Sequence, residues 1–207
     1  MSLIMSSKNN NKLIFYYGAM GSGKTRDILK ILYSKKEDGF YPILMKPARD
    51  VKGDEKIISR DNTTFKVDFL IKEEDNIYYE ISKYILDYNV DYILVDEAQF
   101  LNSKQIDELS DIVDNLGIDV ICYGLITDFQ GNMFEGSKRL LEISDDKLEM
   151  ERQCTCGRKK LFNARMLNGN IVLDGEQLGI DGKINEEYKP VCRQCYKKLI
   201  REKNNKT

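Results

Sequence analysis

The chain has 207 residues, of which 42% are hydrophobic and 32% are charged, and its formal net charge is −2. This balance argues against a protein that coats nucleic acid or an anionic membrane surface, because both ligands require a basic face. The absence of histidine excludes Ser-His-Asp and Cys-His nucleophile pairs and any His-ligated metal. No stretch approaches the about 20 apolar residues that span a bilayer, so we expect a cytoplasmic protein with no membrane and no nucleic-acid partner.

Four apolar runs of strand length alternate with amphipathic stretches of helical length. Because these runs are apolar almost throughout, they are typical of strands buried on both faces of a parallel sheet. The predicted strands are 13–17, 41–45, 92–95 and 119–123, and the predicted helices are 25–35, 77–88 and 103–116. We expect Ser103 to cap the last helix and Gly117 to end it. The alternation predicts a doubly wound α/β domain whose ligands lie outside the carboxyl ends of the strands.

The segment GAMGSGKT directly follows the first predicted strand and precedes the first predicted helix. Its spacing is that of a P-loop, in which backbone N–H groups surround phosphate oxygens, the lysine reaches the outer phosphates and the threonine hydroxyl meets Mg²⁺. The segment therefore predicts ATP binding, with the helix N-terminus adding its positive dipole end. The candidate phosphate-binding residues are Gly18, Ala19, Met20, Gly21, Ser22, Gly23, Lys24 and Thr25.

A pair of carboxylates ends the third predicted strand, in the segment YILVDEAQF. In a P-loop protein, an aspartate at this position holds Mg²⁺ opposite the P-loop hydroxyl, so Asp96 and Thr25 are the predicted magnesium residues. A neighbouring carboxylate can polarise an attacking water, as in ATPases, or accept the proton of an alcohol, as in kinases. The motif alone leaves both roles open for Glu97.

The fourth predicted strand leads into a segment in which glycines at 124, 131 and 136 alternate with large apolar residues. Glycine-containing loops rich in aromatic residues serve as lids or pocket walls. We therefore interpret residues 124–137 as a lid beside the nucleotide site.

Two pairs of cysteines lie in the last third of the chain, separated by 35 residues. Four thiolates in a cytosolic chain are typical of a closed, tetrahedral, structural zinc site. Such a metal supplies stability to a segment that has few large apolar side chains. The predicted zinc ligands are Cys154, Cys156, Cys192 and Cys195.

Taken together, these motifs resemble those of the thymidine kinases found in bacteria and in the vertebrate cytosol. GAMGSGKT is similar to that family's G-P-M-x-S-G-K-[ST], DEAQF to D-E-[AG]-Q-F, GLITDFQGNMF to G-L-x-T-D-F-x-G-x-P-F, and YKPVCRQCY to Y-x-x-x-C-R-x-C-[YH]. The resemblance implies a P-loop (RecA-like) domain with a mostly parallel sheet over residues 12–152. A small zinc domain follows over 153–200, with a lasso loop at about 170–188 that covers the nucleoside.

The resemblance also implies the reaction, which is transfer of the γ-phosphate of ATP to the 5′-hydroxyl of thymidine or deoxyuridine. It makes Glu97 the general base toward that hydroxyl, and it implies a homotetramer that is inhibited by dTTP. The residues that match the family's nucleoside pocket are Met20, Phe100, Leu125, Phe129, Phe134, Asn163 and Tyr188, with Gln99 as a further neighbour.

Some features differ from the family pattern or stand outside it. Lys52 occupies the position of an arginine that the family carries near the phosphates, and Arg60 is a second candidate phosphate contact. A lysine supplies a point charge without the planar fork of a guanidinium. The polar ends of the chain, residues 1–11 and 201–207, are expected to be disordered.

When the family resemblance is set aside, the same residues also fit a second function class. In this alternative, the protein is a P-loop ATPase in which Glu97 activates water and the four-cysteine module is a zinc ribbon that binds nucleic acid. The module carries charges of both signs, and the basic residues considered for such binding are only Arg158, Lys159 and Lys160. A nucleoside-dependent release of ADP separates the two classes.

Overall fold

The computed structural model describes residues 10–50, 55–58, 64–175 and 186–205. Its strands are β1 (Leu13–Tyr17), β2 (Pro42–Pro47), β3 (Lys56–Ile58), β4 (Thr64–Lys66), β5 (Phe69–Ile71), β6 (Tyr92–Val95), β7 (Asp119–Gly124), β8 (Asp146–Glu149), β9 (Phe162–Leu167), β10 (Asn170–Ile171) and β11 (Glu186–Val191). Its α-helices are α1 (Lys24–Glu37), α2 (Ile77–Tyr84), α3 (Ser103–Asp111), α4 (Glu135–Ile143) and α5 (Arg193–Asn204). A 3₁₀ turn (Ala98–Phe100) follows β6, and a π-helix (Ile112–Leu116) continues α3.

Six strands form the main sheet in the order β5-β2-β6-β7-β1-β8, and its pairings are all parallel. Parallel strands need crossover connections, and here helices supply most of them. The predicted α/β architecture with a mostly parallel sheet is therefore confirmed. Because the strands run in one direction, their carboxyl ends lie along one edge, where the P-loop and the two strand-end carboxylates are also found.

Both faces of this sheet are covered by apolar cores. Along β6, Ile93 and Val95 enter the core that contains α2, α3 and α4, whereas Leu94 enters the opposite core with Leu29 and Leu32 of α1. This alternation follows from the two-residue period of a strand. It explains why the predicted strands are continuously apolar: each successive side chain meets a different buried layer.

Two helix boundaries differ from the predictions. The N-cap of α3 is Asn102 and not Ser103, because only Asn102 has a glutamine three residues later, and Gln105 completes a capping box with it. The second predicted helix ends at Tyr84 instead of 88, and the chain turns there while the Tyr88 ring stacks on Tyr84 at a centroid distance of 4.5 Å. The expected stop of the third helix, Gly117, does follow the π-helix in a left-handed conformation.

A second, smaller sheet has the order β10-β9-β11 and is antiparallel. It packs with α5 around a core that includes Met166, Ile171, Val191 and Tyr196. Residues 201–204, for which we expect disorder, form the last turn of α5. Basic side chains in that turn lie at the negative end of the helix dipole, which favours helix over coil.

No helix within the described ranges combines the length and the apolar character that crossing a bilayer requires.

Candidate active site at the carboxyl edge of the sheet

The P-loop connects β1 to α1 by a tight turn of backbone. Gly23 adopts a left-handed conformation with φ 98° immediately before the helix, which a residue with a side chain rarely accepts. The Lys24 side chain is buried and its Nζ lies 3.2 Å from the Gly18 carbonyl oxygen and 3.3 Å from that of Ala19. Thr25 follows in the first turn of α1. The loop therefore holds the lysine on its inner side, next to the N-terminus of α1.

Asp96 is a buried carboxylate directly after β6. Burial raises the pKa of Asp96 to about 7, and the neighbouring charge of Glu97 adds to the increase. The backbone N–H of Glu97, 3.0 Å from Asp96 Oδ1, and the Lys24 ammonium act in the opposite direction. The P-loop lysine and the strand-end aspartate therefore belong to one electrostatic site.

Glu97 has an unusual backbone conformation, with φ 50° and ψ 37°. Left-handed conformations cost non-glycine residues free energy and are concentrated at functional sites. The turn redirects the chain from β6 into the 3₁₀ turn and leaves the Glu97 side chain partly exposed. Its Oε2 accepts a hydrogen bond of 2.5 Å from Nε2 of Gln99. A strand-end carboxylate that is partly exposed and fixed by a neighbour has the properties of a general base.

An ion pair that the sequence patterns did not predict joins a buried lysine to a partly exposed aspartate at the same edge. Lys46 on β2 is 1% exposed, and its Nζ lies 2.9 Å from Oδ2 of Asp50 and 3.4 Å from the carbonyl oxygen of Lys56. The charge of Asp50 contributes to the raised pKa of Asp96. Lys46 lies one residue beyond the predicted strand at 41–45, and only the observed end of β2 at Pro47 shows that it is a buried strand residue that requires a partner.

The predicted nucleoside residues fall into two connected groups. In the first, the Phe100 and Phe134 rings make an edge contact at 5.5 Å, and the backbone N–H of Leu125 donates to Oε1 of Gln99. In the second, Phe129 is buried beneath the Arg165 guanidinium, at 5.2 Å from the ring centroid. Tyr188 lies opposite Arg165 in the register of β9 and β11.

The smaller sheet contacts the P-loop and the predicted lid directly. The side-chain oxygen of Asn163, on β9, accepts a hydrogen bond of 2.8 Å from the backbone N–H of Met20. The Tyr196 hydroxyl donates to the carbonyl oxygen of Phe129 at 2.7 Å, and Gln130 Nε2 donates to that of Leu173 at 2.9 Å. These contacts place the C-terminal module, which consists of the smaller sheet and α5, over the P-loop and the lid segment. The lid segment itself ends in α4, since α4 begins at Glu135.

A second ion pair, also missed, joins the two long strands of the smaller sheet. The Arg165 side chain donates from Nε to Oε1 of Glu186, and both side chains are less than one-tenth exposed. This hydrogen bond and the charge of Glu186 raise the pKa of the guanidinium. No local pattern could predict this pair, because its members lie 21 residues apart on two different strands.

The four predicted zinc ligands form one cluster, and their Sγ atoms all lie within 4.8 Å of one another. A tetrahedral zinc with Zn–S bonds of about 2.3 Å requires S···S edges of about 3.8 Å, which this spacing accommodates. Hydrogen bonds from the backbone N–H groups of Cys156 and Cys192 lower the pKa of Cys154 to about 6, and the N–H of Cys195 lowers the pKa of Cys192. Hydrogen bonds with the neighbouring thiols raise the pKa of Cys195 to about 12, so the thiols share protons as long as no metal is bound. The donor set therefore fits a soft divalent cation such as Zn²⁺.

Several predicted features lie outside the described residues. They are Lys52, Arg60 and the central part of the lasso, 176–185. The ends of the predicted lasso, at β10 and the start of β11, belong to the smaller sheet.

Comparison with known proteins gives a consistent result. The family model described as "Thymidine kinase" matches residues 11–196. A thymidine kinase of Haemophilus influenzae is 41% identical over 188 residues, which cover 90% of this chain and 96% of that protein. A thymidine kinase of Pasteurella multocida is 41% identical over 191 residues, covering 91% and 98%, and one of Mannheimia succiniciproducens is 40% identical over 188 residues, covering 90% and 95%.

Proposed function

This chain belongs to the thymidine kinase family, and from that premise we propose that it transfers the γ-phosphate of ATP to the 5′-hydroxyl of thymidine, and of deoxyuridine. The products are the nucleoside monophosphate and ADP. The observation that carries this proposal is the position of Lys24, Asp96 and Glu97 at one edge of the sheet, beside the aromatic lid segment. The reaction serves salvage of pyrimidine deoxynucleosides, and we propose the cytoplasm as its location.

Glu97 is the proposed general base. Phosphoryl transfer passes through a loose transition state, so the protein contributes mainly by positioning and by neutralising charge. A carboxylate that is partly exposed and held in one orientation can accept the proton of the sugar hydroxyl as the phosphoryl group arrives. The adjacent Asp96 is less suited to that role, because it is buried.

The phosphates of ATP are proposed to bind in the P-loop, against Lys24 and the N–H groups that begin α1. Bound Mg²⁺ would neutralise charge on the outer phosphates, and Thr25 and Asp96 are the residues whose oxygen atoms suit it. A buried carboxylate beside the loop fits this cation, since its charge is otherwise poorly solvated. Lys52 and Arg60 remain candidates for further phosphate contacts.

The acceptor pocket is proposed to consist of the lid segment and residues from the smaller sheet. A flat pyrimidine requires an apolar slot with few polar anchors, and exclusion of water favours transfer to the sugar alcohol over hydrolysis. The proposed lining residues are Met20, Phe100, Leu125, Phe129, Phe134, Asn163 and Tyr188. The contacts of Asn163 with Met20 and of Tyr196 with Phe129 support this proposal, because they bring the module to the lid.

Three further proposals concern organisation. The kinase domain spans 12–152, and the cysteine-containing domain spans 153–200 with a structural zinc held by its four thiolates. Inhibition by dTTP follows if one molecule occupies the nucleoside and phosphate sites together. The proposed assembly is a homotetramer, in line with the family.

The assignment of the base is tested with Glu97→Gln, which keeps the shape of the side chain and removes its basicity. Turnover of thymidine should fall by about 10²- to 10⁴-fold, the range that positioned proton transfer contributes, with little change in the dissociation constants. Calorimetry with thymidine and with a non-hydrolysable ATP analogue measures those constants. Glu108→Gln is the control, because Glu108 is a glutamate away from the P-loop whose carboxylate accepts from the N–H of Ile77 at the start of α2. A Glu97→Gln enzyme with near wild-type turnover would overturn the assignment.

A further inference from the structure

Gln99 is a buried side chain, 2% exposed, in the turn that follows the two strand-end carboxylates. Both ends of its amide are used. Nε2 donates to Oε2 of Glu97 at 2.5 Å, and Oε1 accepts from the backbone N–H of Leu125 at 3.0 Å. The chemistry of the partners permits one orientation only, because an ionised carboxylate accepts and a backbone N–H donates.

The amide is also confined by its packing. A Cβ at Gly124 would lie 2.9 Å from Oε1 of Gln99 and 3.3 Å from the Cε2 atom of Phe15, so the end of β7 presses directly on the amide. The carbonyl oxygen of Leu125 accepts a hydrogen bond from the Ser137 hydroxyl, which holds the peptide that follows the one Gln99 contacts. Rotation of the amide would leave a buried N–H unpaired, and an unsatisfied buried donor is disfavoured.

We propose that Gln99 is a positioning residue for the phosphoryl transfer: it orients the Glu97 carboxylate and connects it to the first peptides of the lid segment. The inference rests on the proposed role of Glu97 as base. The hydrogen bond occupies Oε2, and Oε1 is then the oxygen that receives the proton of the acceptor hydroxyl. Because the amide bridges Glu97 and Leu125, the base and the wall of the acceptor pocket are held in one fixed relation.

This role differs from a contact with the nucleobase, and the two make different predictions. A residue that binds the base changes the affinity for thymidine when it is replaced. A residue that acts through Glu97 changes turnover and leaves affinity nearly unaltered, because a misdirected base raises the free energy of the transition state but not that of the bound substrates.

The test uses Gln99→Met, which keeps the length of the side chain and removes both hydrogen bonds, and Gln99→Glu, which keeps an acceptor for Leu125 but places a negative charge against Glu97. We expect the turnover number of each variant to fall by about a hundredfold, within the range of general base catalysis. The dissociation constants for thymidine and for the ATP analogue should change less than about threefold. Gln105→Met is the matched control: Gln105 is equally buried and donates to the carbonyl oxygen of Lys72, in the connection before α2.

A double-mutant cycle separates positioning from a general loss of structure. In a Glu97→Gln background, Gln99→Met should reduce the residual turnover by less than about threefold, because the group it orients is no longer a base. Turnover near the wild-type value in both Gln99 variants overturns the inference, as does an equally large loss in the Glu97→Gln background. An inactive Glu97→Gln enzyme beside fully active Gln99 variants would refute the positioning role alone and leave the proposed function intact. Full activity of Glu97→Gln would instead refute the proposed base.

Discussion

Asp96, the proposed magnesium ligand, combines two requirements that oppose each other. A site for a divalent cation needs a negative charge, whereas burial at the end of β6 disfavours that charge before any cation binds. The folded protein therefore holds the proton on Asp96 more tightly than an unfolded chain does. Binding of Mg²⁺ and nucleotide is expected to release this proton, so the cation requirement should increase as the pH falls below about 7.

The raised pKa of Asp96 also affects the stability of the fold. The pKa of Asp96 is about 7 in the folded protein and about 3.9 in an unfolded chain, so the folded state binds more protons between these values. The raised pKa therefore adds to the free energy of unfolding, relative to high pH, when Asp96 is protonated. This contribution is fully present below about pH 4 and is lost as the pH rises through about 7. Because asparagine does not ionise, Asp96→Asn removes this pH-dependent loss of stability.

Urea unfolding without Mg²⁺ and nucleotide measures the effect. The advantage of Asp96→Asn over the wild type should be larger at pH 8 than at pH 5, by roughly 1–3 kcal/mol. Ionisable groups that titrate in the same way in both proteins contribute equally to both free energies of unfolding, so their contributions cancel in this comparison. An equal difference at both pH values would show that Asp96 is ionised normally in the folded protein.

Individual residues of the site differ in how far the sequence predicts them. The P-loop lysine, the strand-end carboxylates and the four cysteines have local spacing that specifies their chemistry. The pairing of Lys46 with Asp50 depends on β2 continuing to Pro47, two residues beyond the predicted end of that strand. The hydrogen bond between Asn163 and Met20 could not be predicted, because it joins residues far apart in the chain and depends on how two sheets meet.

Among the elements, the cysteine cluster joins the segment before β9 to α5. Cys154 and Cys156 lie in the turn before β9, while Cys192 and Cys195 lie at the start of α5. The core beneath them is small, with Met166 as one of its few large members. A metal that bridges these elements is expected to supply part of the folding free energy of the module.

Elemental analysis should find about one zinc ion per chain, as expected for four thiolate ligands. Cys156→Ser should lose that ion and most of the thymidine turnover, because the module that contacts the P-loop and the lid is then unsupported. Cys122→Ala is the control, since Cys122 is a core thiol in β7, outside the cluster. Full turnover in metal-free protein would contradict a structural role for zinc.

Secondary structure was predictable where hydrophobic runs or capping residues are strong. Strands β1, β6 and β7 are apolar because they are buried on both sides, and they agree with the predictions. Strands β5 and β8 were not predicted, since they are short strands at the two edges of the sheet. The sequence of β8, DKLE, has no apolar run, and its pairing with β1 comes from tertiary contact.

For the whole molecule, the order of the strands determines which chemical groups meet. The P-loop follows β1, Asp96 and the proposed base Glu97 follow β6, and the predicted lid segment follows β7, which lies between them. The C-terminal module then contacts both loops through Asn163 and Tyr196. This arrangement surrounds the phosphate site with groups suited to an alcohol acceptor, which a simple ATPase does not require.

The most direct test of this account is the dependence of ADP release on an acceptor. Purified protein is given ATP and Mg²⁺ with thymidine, with 5′-deoxythymidine, which lacks the acceptor hydroxyl, or with single-stranded DNA or RNA, and ADP and dTMP are both quantified. We predict that ADP forms only with thymidine, in equal amount to dTMP, and that 5′-deoxythymidine binds without supporting release. ADP release that is independent of nucleoside, or stimulated by a polynucleotide, would contradict the proposed kinase and favour an ATPase.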